Sequence, residues 1–152
     1  MAAVLDAPVS ALIRRLVVRV DRATPLKDAI RLLRDAPSRS LAVMDGRRLV
    51  GLFGDRDMVE KCYTDAIDPM DPVEQVMEGM LVTVTPDTSI RDALRLMDME
   101  RLRFLPLVEA DGTLRGLIRG RDLLEYIAES IPDAVLNQPP QVMKSLGARE
   151  GA

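Results

Sequence analysis

The stretches GLFGDRDMVE (51–60) and GLIRGRDLLE (116–125) are near copies of one another, 65 positions apart. The flanks agree as well. Sliding the chain by 64 residues lays VSALIRRLVVRVDRATPLKDAIRLL, from Val9, over VEQVMEGMLVTVTPDTSIRDALRLM, from Val73, without a gap. One extra residue enters near MDGRRLV against EADGTLR, and beyond it the offset of 65 aligns the two opening phrases. About 55 residues per copy take part, most of the 152-residue chain. Self-similarity at a fixed period marks a repeated structural unit, so this chain builds one unit twice.

Each copy predicts the order β-α-β-β-α. LVVRV (16–20) and LVTVT (81–85) read as short β-branched strands. Thr24 in copy one and Asp87 or Thr88 in copy two are candidate helix N-caps, and Pro25 suits a first helical position. Apolar residues then recur at Leu26, Ala29, Ile30 and Leu33, and at Ile90, Ala93, Leu94 and Met97, the stripe of a helix with one buried face. SLAVM (40–44) and FLPLVE (104–109) are second strands. Asp-Gly turns at Asp45-Gly46 and Asp111-Gly112 lead into a third strand and predict hairpins. A last helix starts at Arg56 or Arg121, with Met58, Val59 and Cys62 against Leu123, Leu124 and Ile127 on its apolar stripe.

A unit of under about 60 residues buries too little surface to be comfortable alone. The expected architecture is therefore α+β, two β-α-β-β-α repeats packed sheet to sheet with pseudo-twofold symmetry. Residues 9–66 form the first repeat, 67–72 a linker with two prolines, and 73–131 the second repeat. Residues 132–152 are a C-terminal extension whose end is expected to be disordered.

Composition narrows the chemistry. With no histidine and one cysteine, an internal disulfide, the usual zinc sites, Ser-His-Asp triads and Cys-His pairs are excluded. A net charge of −3, with two Tyr and two Phe, argues against nucleic acid. No apolar run reaches the roughly 20 residues that cross a bilayer, and the N-terminal arginines follow the apolar stretch, the reverse of a secretory signal. The reading is cytoplasmic, with no membrane contact. Eighteen arginines stand against three lysines. Either a GC-rich genome or forked contacts to phosphate accounts for that bias. Cys62 reads as buried and inert. Most of the nine methionines read as core fillers and a minority as an adaptable surface.

VMEGMLVTVTPDTSIRDALRLM followed by RLRFLPLVEADGTLRGLIRGRDLLEYI resembles the cystathionine β-synthase (CBS) domain, which occurs as tandem pairs called Bateman modules. VVRVDRATPLKDAIRLL and SLAVMDGRRLVGLFGDRDMVE are a looser match to the same pattern. The resemblance covers residues 9 to about 131. It implies a regulatory sensor, not an enzyme, needing no cofactor for chemistry. The ligands implied are adenosine-containing (AMP, ADP, ATP or S-adenosylmethionine) and bind in clefts between the repeats. The module would form a homodimer through its helices and signal by conformational change to a regulated protein that the sequence does not name. Little sequence lies outside the repeats, so a stand-alone module is expected. The alternative is a structural dimerisation module with degenerate ligand sites.

Site residues follow from the same resemblance. The family's motif is Gly, two apolar residues, Ser or Thr, two variable residues, then an Asp that accepts both ribose hydroxyls. Gly51 with Asp57 and Gly116 with Asp122 match it, but Gly54 and Arg119 replace the Ser/Thr. Asp55, Arg56, Gly120 and Arg121 stand within or beside the motif. Arg119 is either a phosphate ligand through a charge-assisted contact or a solvated strand-end residue. First-turn helix charge explains Asp57 and Asp122 as well as ribose binding does. Arg103 and, in copy one, Arg39 beside Ser40 precede the second strand, where family members face phosphate. Thr83 borders the base cleft, and Val82, Leu105 and Pro106 are candidates to line it.

Overall fold

The computed structural model describes residues 1–12 and 17–131. Leu16, the expected start of the first strand, and the extension 132–152 lie outside the described residues. Copy one runs β1 (Val18–Asp21), α2 (Leu26–Asp35), β2 (Ser40–Asp45), β3 (Arg48–Gly54) and α3 (Asp55–Lys61), after a short α1 (Ala2–Leu5). Copy two runs α4 (Ile90–Glu100), β4 (Phe104–Val108), β5 (Leu114–Arg119) and α5 (Gly120–Glu129).

The one-residue difference between the copies resolves into their hairpins. In copy one Asp45 pairs with Arg48, leaving a two-residue loop whose first position, Gly46, has φ +62°. That is the glycine position of a type II′ turn. In copy two the Glu109 N–H donates to Thr113 O at 2.9 Å, leaving three loop residues that end in Gly112 at φ +88°. Both hairpins carry a register shift at equivalent places, between Val43 and Met44 and between Leu107 and Val108.

One predicted strand is nearly absent. β1 pairs parallel to β2 from Val18↔Leu41 to Asp21↔Met44. The matching segment 81–85 makes a single parallel bridge, Val84↔Leu107, and is not a strand. Val84 N–H donates to Pro106 O and Val108 N–H donates to Val84 O, both at 2.9 Å. The next bond of such a ladder needs an N–H at position 106, and proline has none. Ala42 stands at the equivalent place in copy one. The result is a three-stranded sheet and a two-stranded one.

The opening segment of each copy packs on the other copy. Val9 N–H donates to Thr88 O and Val73 N–H to Thr24 O, both at 2.8 Å. Ser10 N–H donates to Pro86 O and Glu74 N–H to Arg22 O, both at 3.2 Å. Ile90 N–H donates to Ala7 O at 2.9 Å and Leu26 N–H to Asp71 O at 2.8 Å. These three pairs repeat at the 64-residue offset, which is the pseudo-twofold written in hydrogen bonds.

They also replace caps. The N-cap of α2 is Pro25, which has no side-chain acceptor, so the backbone of Pro69 and Asp71 takes the first N–H groups of the helix. Thr24 does not cap it. α4 is capped by Ser89, whose Oγ accepts from Asp92 N–H at 3.1 Å, instead of by Asp87 or Thr88. Those two are engaged with Thr85 in a local turn.

The core follows the exchange. Leu26, Ala29, Leu33, Leu41, Val43 and Phe53 pack with Val73 and Val76. Ile90, Ala93, Leu105, Leu107, Ile118 and Leu123 pack with Val9 and Leu12. Each of the buried Val, Leu, Ile and Phe side chains contributes about 1.5–3 kcal/mol by burial. The opposite faces of the sheets meet through Ala42, Met44 and Leu114, and Arg19 Nη2 donates to Leu114 O at 3.2 Å. The fold is therefore α+β, with two repeats packed sheet to sheet about a pseudo-twofold.

Candidate ligand-binding cleft

A cavity of about 630 Å3 opens between the repeats. Copy one supplies Arg39 and Ser40 at the start of β2, and Asp55, Arg56 and Asp57 from the first turn of α3, which follows β3 directly. Copy two supplies Arg103, Pro106 and Arg119, and the crossing segment supplies Val82. Leu105 is fully buried in the copy-two core and does not line the cavity. Gly120, Arg121 and Asp122 are not on its walls either. Thr83 lines a separate, smaller cavity of about 240 Å3 with Arg48, Leu49 and Gly112. Arg121 pairs with Glu125 at 3.2 Å on the exposed side of α5.

The two motif carboxylates have different surroundings. Asp57 Oδ2 accepts from Gly54 N–H at 2.8 Å, half of a capping box, and Oδ1 accepts from Lys61 Nζ at 3.3 Å. Lys61 also donates to Val76 O at 3.1 Å, tying α3 to the crossing segment. Asp122 Oδ2 accepts from Arg119 N–H at 2.8 Å and from its Nε at 3.4 Å, while Oδ1 accepts from its Nη2 at 3.1 Å. The guanidinium fork thus lies across the carboxylate of its own helix. Arg119 is largely buried and lines the cavity, so it is not a solvated strand end. Arg39 pairs with Asp55 at 3.8 Å and Arg56 with Glu60 at 3.5 Å, all well exposed.

Sequence reasoning missed much of the wall. Leu52, Glu78, Met80, Leu81, Glu100, Arg101 and Leu102 line it as well. Arg101 and Arg103 make no ion pair or hydrogen bond with a side chain among the described residues. Arg39 (φ +54°) and Arg101 (φ +52°) are the non-glycine residues with positive φ among the described residues, and both line the cavity. Such backbone costs about 1–2 kcal/mol, a cost that clusters at functional sites. Met80 is 92% exposed on the cavity wall, and Met70 and Met99 are also exposed, more surface methionine than the core-filling reading expects. Cys62 is half-buried, and burial together with the nearby Asp57 carboxylate pushes its thiol up, with Lys61 opposing. No helix among the described residues is long and apolar enough to cross a membrane.

The profile of the CBS domain matches residues 9–63 and again 67–129. The chain is 31% identical over 146 residues to an uncharacterized protein of Methanocaldococcus jannaschii, covering 94% of this chain and 52% of that one. It therefore spans about half the length of that relative. Among solved structures it is similar to CBSX2 in complex with AMP, with TM-score 0.67 and 26% identity over 81% of this chain and 97% of that one. It is also similar to the cytosolic domain of the Mg2+ channel MgtE in complex with ATP, with TM-score 0.66 and 27% identity over 82% of this chain and 50% of that one. With both copies matched and the tandem arrangement repeated in these structures, the chain belongs to the CBS domain family.

Proposed function

We propose that this chain is a nucleotide-sensing regulatory module that takes an adenine nucleotide in the cavity between its repeats. The observation that carries the reading is the presence, in one cavity, of the Asp57 carboxylate and two arginines, Arg101 and Arg103, that have no ion-pair partner among the described residues. A carboxylate suits vicinal ribose hydroxyls and a guanidinium suits phosphate. About 630 Å3 lies within the usual range for small-molecule sites. The AMP and ATP bound by the two similar structures support the class. Arg101 and Arg103 favour the anionic phosphates of AMP, ADP or ATP over S-adenosylmethionine, whose sulfonium carries the same positive charge as the arginines.

Signalling would be differential binding: the nucleotide favours one relative orientation of the repeats, and a cytoplasmic partner reads it. The test is melting temperature against AMP, ADP, ATP and S-adenosylmethionine. A ligand at 100 times its Kd should add about 2.7 kcal/mol, a rise of several degrees. A flat panel at millimolar ligand sinks the sensor reading.

A second reading, a dimerisation module, has its own observation. Val59 and Leu124, equivalent positions on α3 and α5, are 75% and 67% exposed although they fall on predicted apolar stripes. An exposed apolar face of this kind suits a homodimer formed through the helices. Val59→Glu with Leu124→Glu should convert a dimer to monomer in sedimentation. An unchanged mass places any association elsewhere.

A further inference from the structure

The alignment makes the two half-sites equivalent, but three observations separate them. The first is Arg119. A carboxylate offers about four acceptor positions. Asp122 has given at least three of them to Arg119 alone, through the backbone N–H, Nε and Nη2. Both side chains are largely buried, at 17% and 10% exposed. Asp57 has given one to Gly54 N–H and one to Lys61, and it lines the cavity, which Asp122 does not.

The second observation is Ser40. It pairs with Gly54 across β2 and β3, is 2% exposed, and lines the cavity. Its hydroxyl oxygen donates to no described residue and stands 3.6 Å from where a Cβ on Gly54 would lie. A buried hydroxyl without a partner is costly unless something else completes it. The third is the contrast with copy two, where Phe104 holds the position paired with Arg119 and brings no hydroxyl. The hydroxyl absent at position 54 is thus present one strand over, and only in copy one.

We propose that the chain binds one nucleotide, seated on Asp57 and Ser40, and that Arg119 acts as an internal plug that keeps the copy-two carboxylate closed. This rests on the nucleotide reading above and adds to it a stoichiometry, an orientation and a residue that decides both. The ribose lies on copy one, and the phosphates reach Arg101 and Arg103 of copy two, so a single ligand spans the repeats.

Calorimetric titration of ATP and AMP into the full chain tests this, with Asp57→Asn, Asp122→Asn, Ser40→Ala and Arg119→Ser. Wild type should bind one ligand per chain. Asp57→Asn should abolish binding, Ser40→Ala should weaken it about tenfold, and Asp122→Asn should change it less than twofold. Arg119→Ser, which takes the guanidinium off the carboxylate and restores the hydroxyl, should raise the stoichiometry to two. Two ligands on wild type, or loss of the wild-type site in Arg119→Ser, would overturn the proposal. A double-mutant cycle of Arg119→Ser and Asp122→Asn in thermal unfolding adds a readout that needs no ligand. Strong non-additivity in Tm supports the plug, and additive shifts refute it. If wild type binds nothing while Arg119→Ser binds one ligand through Asp122, the plug stands and the nucleotide reading of the native chain fails.

Discussion

Copy one ends its last strand in Gly54 and copy two in Arg119, and the surroundings of two otherwise matched carboxylates diverge from there. Gly54 contributes only a backbone N–H to Asp57, so the carboxylate stays on the cavity wall. Arg119 contributes the same N–H and then folds its guanidinium over Asp122. A second difference lies one strand away. Ala42 lets β1 and β2 pair over four residues, while Pro106 cuts the equivalent pairing to one bridge. The segment that escapes pairing, with Leu81 and Val82, lines the cavity. The repeat supplies two matched carboxylates, and different residues on the paired strands give them unlike surroundings.

The largest effect tests whether the unlike copies still fold as one. Phe53→Ala in copy one should cost about 3–5 kcal/mol and Ile118→Ala, its equivalent, about 2–5 kcal/mol. Because each core contains a segment of the other copy, calorimetry should show a single transition in both variants, with matching calorimetric and van't Hoff enthalpies. Two separate transitions would break the picture of interlocked copies.

A smaller loss is expected at Gly51. A Cβ there would lie 2.9 Å from Glu78 O and closer still to the Met77 thioether. Gly51→Ala should cost about 1–3 kcal/mol in denaturant unfolding, by forcing apart the Leu52–Glu78 pairing that holds the crossing segment on β3.

Arg101→Gly should go the other way. Arg101 closes α4 in the left-handed conformation, where glycine carries no steric cost. The variant should gain about 1 kcal/mol in stability and lose nucleotide affinity, a split that an ordinary surface arginine would not give. Equal affinity in the variant would remove Arg101 from the phosphate site.

The smallest effect is chemical. The Asp57 carboxylate helps hold the Cys62 thiol above its usual range after burial, and Lys61 pulls it down. A raised value keeps the thiol protonated as pH rises through neutrality, so alkylation of the native protein should be slow there. Asp57→Asn should shift the alkylation profile to lower pH and Lys61→Met to higher pH. No shift in either variant would mean that these charges do not reach the thiol.

Much of the fold was legible in the linear chain. Helix stripes, Asp-Gly turns and the inserted residue, where the offset between the copies passes from 64 to 65, each rest on local backbone chemistry, and that residue lengthens the loop of the second hairpin from two residues to three. The failed strand 81–85 was legible too, had the missing N–H of Pro106 been set against its neighbour. The caps of α2 and α4 were misread because their N–H groups are satisfied by residues far away or one position on.

Other features were out of reach of any linear reading. The exchange of opening segments is one: two identical units satisfy the same apolar pattern whether Val9 and Val73 pack at home or across, and only three-dimensional closure of the chain selects the second. The solvent exposure of Val59 and Leu124 is another, since a short helix on a small sheet buries a narrower stripe than its sequence offers. The sequence by itself determined that one unit is built twice, with a carboxylate at the head of each last helix. Tertiary structure decided which carboxylate faces the cavity and which is taken by its own arginine, because acceptor positions are filled by whatever donor the fold brings within about 3 Å.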